Sequence, residues 1–149
     1  MEYMFIMSKS FPEFMSKARP LTVRHHEEVN LFGLKLDIPE LTYEEYFNDN
    51  QFLVFEIHLG SEIVGYSGFF LYEHLHHKGS LHAKQDILFI DKDHRGKGLA
   101  VKFLNYCDEM LKEIGVEYVI HSVPVKNDWS SLLTKVGYYK LETNYSKRL

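Results

Sequence analysis

Cysteine is almost missing from this chain: Cys107 is the only one in 149 residues. No intrachain disulfide can form, which fits a reducing cytoplasm. Long apolar runs are also missing, and none approaches the ~20 residues needed to span a bilayer. The opening Met1-Glu2-Tyr3-Met4-Phe5-Ile6-Met7 carries an acid at position 2 and no small-residue cleavage site, so it makes a poor signal peptide. No membrane association is expected. Nor is there a basic excess. Seventeen Lys and Arg stand against 21 Asp and Glu, a net charge of −4, which gives no general attraction to nucleic acid. Repeats, low-complexity tracts and linkers are lacking, so residues 1–149 read as one domain. Nine His are many, and His74, His76, His77 and His82 are close in sequence, with Asp86 beyond. None forms a helical i, i+4 pair with an acid, and no Cys stands beside them, so no metal site is expected.

What is present is an ordinary globular composition, 45% apolar and 26% charged, with 15% aromatics from ten Tyr, eleven Phe and one Trp to fill a core. Residues 3–7 suggest a first strand. Ser10-Phe11-Pro12-Glu13 has capping-box spacing and predicts a helix to about Lys17, interrupted by Pro20, with a second helix from Leu21 to Leu31. Thr42-Tyr43-Glu44-Glu45 predicts a third helix, to about Asn48. The period then changes: Gln51–His58 and Ile63–His74 form a hairpin, and Ser80–Ile90 adds another strand. Gly65 and Gly68 inside the second of these mark a bend or a close neighbour. A long helix follows to Ile114, with Ala100, Phe103, Leu104, Cys107, Leu111 and Ile114 on its apolar face. That spacing buries Cys107 as an inert thiol. A strand over Val116–Val123, a short helix over Asp128–Val136 and a final strand or strand pair over Tyr138–Leu149 complete an α/β sandwich with a mixed sheet.

Between the third hairpin-region strand and the long helix lies Arg95-Gly96-Lys97-Gly98-Leu99-Ala100. Glycine lets the backbone turn and lets a ligand approach without a Cβ in the way. The first turn of a helix leaves N–H groups unpaired, and its dipole adds positive charge. A pyrophosphate fits such a site, with Arg95 and Lys97 as cationic partners. The alternative is a helix start that uses glycine only to turn. The Gly-x-x-x-x-Gly-Lys-Ser/Thr of a Walker loop is absent. So is the third glycine of a dinucleotide fingerprint, and the preceding strand belongs to a meander, not a βαβ unit.

The stretch from Asp86 to Ala100 resembles the central signature of the GNAT acetyltransferase superfamily, an apolar strand followed by Arg/Gln-x-x-Gly-x-Gly/Ala, matched by Arg95, Gly98 and Ala100. The order of elements agrees along nearly the whole chain, to Gly137-Tyr138 in place of a Gly-Phe. His25-His26-Glu27-Glu28 and His74-Leu75-His76 also resemble short GNAT-like proteins of bacteriophages. The resemblance implies a GNAT-like α/β fold: a mixed, mostly antiparallel central sheet flanked by helices. It further implies direct acetyl transfer from acetyl-CoA to a primary amine, without a metal. Residues 96–100 would hold the pyrophosphate, Leu88, Phe89 and Ile90 the pantetheine arm and thioester, and Asn127 would stand near the position of an Asn common in the family.

Direct attack needs a neutral amine and a group to accept its proton. Asp86 is the first candidate, since it lies just ahead of the thioester strand among apolar residues that would raise its pKa; the alternative is a solvent-facing carboxylate. His74 and His76, placed two apart on one strand face, offer a base or an acceptor contact, or are an exposed turn. His121, and His25 with Glu28 one helical turn apart, are candidates for binding the acceptor. One departure stands out. Many family members have a Tyr four residues before the Gly of Gly-Phe, where it protonates the leaving thiolate, and this chain has Leu133 there. Tyr138, Tyr139, Tyr145 or solvent would take over, or the chain would be a GNAT-shaped acyl-CoA-binding or protein-interaction module with little chemistry. Pairing of a C-terminal strand across a homodimer is a further expectation.

Overall fold

Runs rich in β-branched and aromatic residues, buried on both faces in the central strands, build the sheet. In a computed structural model, which describes residues 2–149, β1 (Tyr3–Met7), β2 (Phe52–Leu59), β3 (Glu62–Glu73), β4 (Leu81–Ile90) and β5 (Tyr118–Ile120) lie side by side in that order. Neighbours are antiparallel from β1 to β4, and β5 runs parallel to β4. Helices α1 (Phe11–Val29) and α2 (Glu40–Asn48) cover one face, and α3 (Leu99–Glu113) covers the other. A short α4 (Ser130–Lys135) follows β5. Phe14, Phe52, Val54, Tyr66 and Phe89 fill the core under α1. Phe55, Ile57, Phe69, Phe103, Cys107 and Leu111 fill the core under α3. Cys107 is fully buried, as its spacing predicts, and burial pushes its thiol pKa up.

Three elements differ from expectation. Pro20 does not interrupt: one helix runs from Phe11 to Val29, with Ser10 Oγ accepting from the Glu13 N–H at 3.3 Å. An interior proline costs about 3 kcal/mol. The buried face of α1 lies on both sides of it, and Phe14, Met15 and Leu21 each return about 1.5–3 kcal/mol on burial. Helix α2 begins at Glu40, before the expected Thr42 cap, and no side chain caps it. Arg19 on α1 holds that first turn instead, through two bonds to Glu40 of 2.6 and 3.0 Å. Finally, β5 is only three residues long and Tyr138–Leu149 forms no strand. A strand needs a paired neighbour, and the sheet ends at β5.

The feature that positions the site is a slip of register in the middle of β4. Gly68 faces Ile87 but Phe69 faces Gln85, so Asp86 is the extra residue of a β-bulge. Leu81 and Ala83 pack toward α3 before the bulge, and Leu88 and Ile90 do so after it. The bulge therefore turns Asp86 and Ile87 in succession toward the α1 side, where both line one cavity. Gly68 is required opposite this point. A Cβ there would lie 2.6 Å from Phe52 Cζ and 2.8 Å from Ile87 Cγ1. Gly65 is equally confined, with a Cβ position 2.9 Å from the Phe89 carbonyl oxygen.

Candidate functional site

Beyond its bulge, β4 runs without a neighbour on one edge. The pairing with β5 stops at Lys84, and Gln85 Oε1 then accepts from the Ser122 N–H at 3.1 Å as β5 turns away. The main chain of residues 86–90, which includes Leu88, Phe89 and Ile90, has no strand on that side among the described residues. Such an edge is open to a ligand that carries amides.

The chain leaves β4 through the 3-10 turn Lys92–His94 and enters α3 through three consecutive residues with positive φ: Gly96 at 96°, Lys97 at 54° and Gly98 at 75°. Gly98 is the N-cap residue of α3 and supplies no side-chain bond. Only the Leu99 N–H closes back, onto Gly96 O at 3.1 Å. The N–H groups of Gly96, Lys97, Gly98, Ala100 and Val101 find no acceptor among the described residues. A Cβ at Gly96 or Gly98 would meet nothing within 4 Å. The glycines therefore serve backbone conformation and leave open space above a cluster of free donors, at the positive end of a 15-residue helix. That is the chemistry of a phosphate cradle.

Arg95, expected as a cationic partner of the pyrophosphate, is paired within the protein. Its Nε donates to Ile90 O at 2.8 Å, and Nη2 donates to both Glu28 oxygens at 2.9 and 2.8 Å. Its guanidinium also lies 5.5 Å from the Phe89 ring centre. The cation is thus engaged by α1 and the end of β4, and Lys97 remains as the loop's other cation. Glu28, expected at the acceptor, is the other half of this pair.

On the α1 side, the residues around the bulge border a cavity of about 350 Å³ lined by α1, α2, the segment joining them, and β2, β3 and β4. Asp86 stands at its mouth in contact with solvent, and Oδ2 accepts from the Tyr43 hydroxyl at 2.7 Å. The apolar walls raise its pKa above the ordinary carboxylate value, and the Tyr43 bond partly opposes this. His25 lies deeper. Its ring stacks on Phe89 at 4.9 Å and 18°, and Nδ1 is 2.9 Å from the Tyr66 hydroxyl. Desolvation, opposed in part by Glu28, lowers its pKa to about 4, so the ring is neutral near pH 7. Neither Tyr43 nor Tyr66 belongs to a catalytic motif, and only the fold shows that their hydroxyls reach Asp86 and His25.

Two sequence candidates are elsewhere. His74 and His76 do not share a strand face: β3 ends at Glu73, and both lie in the turn before β4. That turn sits beside Leu81, eight positions and about 25 Å along the strand from Phe89. They cluster there with His77 and His82, and ring centres of His77 and His82 each lie 4.8 Å from His74. Burial and the neighbouring imidazoles lower the His74 pKa. Among the described residues no group of three or more His, Cys, Asp or Glu is placed to hold a metal ion, and no helix is long and apolar enough to cross a membrane.

His121 lies where β5 departs from β4, enclosed by Phe69, Trp129 and Tyr138 at 5.6, 5.8 and 5.0 Å between ring centres. Neither ring nitrogen has a partner, and desolvation lowers its pKa to about 4. The Tyr138 hydroxyl donates to Asp108 Oδ1 on α3 at 2.5 Å and, being buried against that carboxylate, is held well above its ordinary pKa. Leu133 is buried, whereas Tyr139 and Tyr145 are exposed. Asn127 is exposed in the 3-10 turn Val125–Asn127, which approaches α1.

Residues 21–138 match the family model described as Acetyltransferase (GNAT) family. The chain belongs to the GNAT acetyltransferase family. Solved structures share the GNAT fold at low identity. An aminoglycoside acetyltransferase from an uncultured soil metagenomic sample, in complex with sisomicin, aligns with a TM-score of 0.76 at 16% identity, covering 99% of this chain and 96% of that one. A ribosomal-protein-alanine N-acetyltransferase from Brucella melitensis biovar Abortus 2308 aligns at 0.73 and 13%, covering 99% of each chain. A predicted acetyltransferase with acetyl-CoA from Clostridium acetobutylicum aligns at 0.69 and 12%, covering 99% of this chain and 96% of that one. No curated protein sequence matches significantly. As in the expectation from sequence, the GNAT sheet is mixed, mostly antiparallel and flanked by helices.

Proposed function

We propose that this GNAT chain transfers an acetyl group from acetyl-CoA to a primary amine. The observation that carries the reading is the set of five unpaired N–H groups between Gly96 and Val101, next to the unpaired edge of β4. In this reading those donors bind the pyrophosphate, with Lys97 adding charge. The edge at Leu88, Phe89 and Ile90 orients the pantetheine arm, and a main-chain N–H there stabilises charge on the carbonyl oxygen during transfer.

Acetyl-CoA supplies a thioester whose C–S bond breaks as the C–N bond forms, releasing CoA. Asp86, at the cavity mouth, takes the proton of the acceptor ammonium and passes it to water, and the second proton leaves nitrogen to solvent as the adduct collapses. Tyr43 holds the carboxylate in place. With Leu133 buried and Tyr138 bonded to Asp108, solvent protonates the departing thiolate.

The missing hydroxyl at Leu133 also favours a second reading, a GNAT module that binds acyl-CoA without efficient turnover. One experiment separates them: calorimetry with acetyl-CoA, then release of free thiol across small amines, peptides and proteins. Binding with thiol release supports transfer. Binding without release across the panel supports the module, and absence of acetyl-CoA binding overturns both.

A further inference from the structure

Resting on the acetyl-transfer reading, we infer that the acceptor is a small amine carried on an apolar body, such as an arylalkylamine, and is neither a polycation nor a sugar. The cavity beside Asp86 has the shape and chemistry for this class. Its walls come chiefly from Phe11, Phe14, Met15, Ile38, Phe52 and Ile87. The rings form a connected set: Phe11 is stacked on Tyr43 at 5.8 Å and 11°, Tyr43 lies 5.1 Å from Phe52, and Phe14 meets Tyr66 edge-on at 5.6 Å. Such surfaces take up alkyl and aryl groups and also attract a cation over their faces.

Charge in the cavity admits few ammonium groups. No Lys or Arg lines it, and its carboxylates are Asp86 and Asp37. A polyamine with three or more ammonium groups would outnumber those two acids, and the surplus charge would be left against an apolar wall.

The other polar groups are already engaged. The Tyr43 hydroxyl is on Asp86, the Tyr66 hydroxyl is on His25, and His26 Nε2 lies 2.8 Å from Leu34 O. Sugar hydroxyls would find few partners, and each one buried unpaired costs about tenfold or more in affinity. Size points the same way. About 350 Å³ lies at the small end of ligand pockets, which run from roughly 300 to 1,000 Å³. The aminoglycoside acetyltransferase in complex with sisomicin shares the fold at 16% identity, which carries no argument about the acceptor.

The test is a ligand series on the intact protein: methylamine, butylamine, phenethylamine, spermidine, sisomicin and an alanine-initiated tripeptide. Thiol release gives kcat/KM, and calorimetry gives amine binding separately. The expected result is a rise in kcat/KM from methylamine to butylamine of on the order of fourfold per added CH₂. Phenethylamine should exceed spermidine, sisomicin and the tripeptide by about tenfold or more. Ile38→Asn should weaken phenethylamine binding about tenfold at unchanged acetyl-CoA affinity, and Ile38→Leu should restore it. If the Asn variant does not fold, the series on the parent protein decides alone.

Preference for the polycation, the sugar or the peptide, or indifference to the apolar body, overturns the assignment. If acetyl-CoA binds and no apolar amine does, the acceptor class falls while the donor site stands. If acetyl-CoA fails to bind, the donor reading falls, and the calorimetric arm still decides which amine the cavity holds.

Discussion

Asp86→Asn separates proton transfer from geometry at one position. The side chains are nearly equal in volume, and an amide oxygen can accept the 2.7 Å bond from Tyr43, so the carboxylate's position is retained. What disappears is the ability to take a proton. For a general base the expected loss in kcat/KM is about 10²–10⁴-fold, or roughly 2.7–5.4 kcal/mol of transition-state stabilisation. Acetyl-CoA affinity should not change, because the unpaired loop amides lie beyond the C-terminal end of β4.

The pH profile adds a second readout. Burial raises the Asp86 pKa, so the acid limb of the parent protein should lie above the ordinary carboxylate value of 3.8, and the limb should vanish in the Asn variant. Tyr43 donates to the carboxylate and lowers its pKa, so Tyr43→Phe should move the limb to higher pH. Stability follows the opposite sign from activity. A carboxyl whose folded pKa is raised favours folding below its unfolded pKa, and that contribution is lost as pH rises through the folded pKa. The Asn variant should therefore be at least as stable as the parent at pH 7. Thiol release measured from pH 5 to 9 and thermal melts decide the matter. An Asn variant with kcat/KM within threefold of the parent and the same pH profile would refute the assignment of Asp86 as base.

Other consequences follow from the same contacts. Gly98→Trp fills the open space above the free amides and should raise the acetyl-CoA Kd at least tenfold by calorimetry; the left-handed backbone there adds about 1–2 kcal/mol of destabilisation. Arg95→Ala, by contrast, should change that Kd only a few-fold, since its guanidinium is bound to Glu28 and Ile90 O. Gly68→Ala should cost about 1–3 kcal/mol in urea titration, because its Cβ would lie 2.6 Å from Phe52. Stability should also fall as pH drops from about 6.5 toward about 4: His25 and His121 resist protonation when folded but not when unfolded. The limiting slope is about 1.4 kcal/mol per pH unit for each imidazole. Replacing His121 with Phe should flatten it in melts at successive pH values.

The sequence by itself determined the strands from β1 to β4, the long helix and the loop between them. Each depends on local signals: short runs of β-branched and aromatic residues bounded by turns, a 3.6-residue apolar stripe, and glycines that reach positive φ. The glycine loop proposed to hold the donor was legible for that reason, since its free N–H groups belong to consecutive residues 96–101. The acceptor side was not. Tyr43 meets Asp86 across 43 positions, and His25 meets Tyr66 across 41, and no local pattern encodes such pairs. Pro20 looked like a stop because its cost is local, while the burial that offsets it is tertiary. His74 and His76 looked like strand neighbours of the site, but the hairpin register carries them to the far end of β4. The bulge at Asp86 is the sharpest case. A single extra residue reverses which face every later side chain of β4 meets, and only pairing with Gly68 and Phe69 reveals where the extra residue lies.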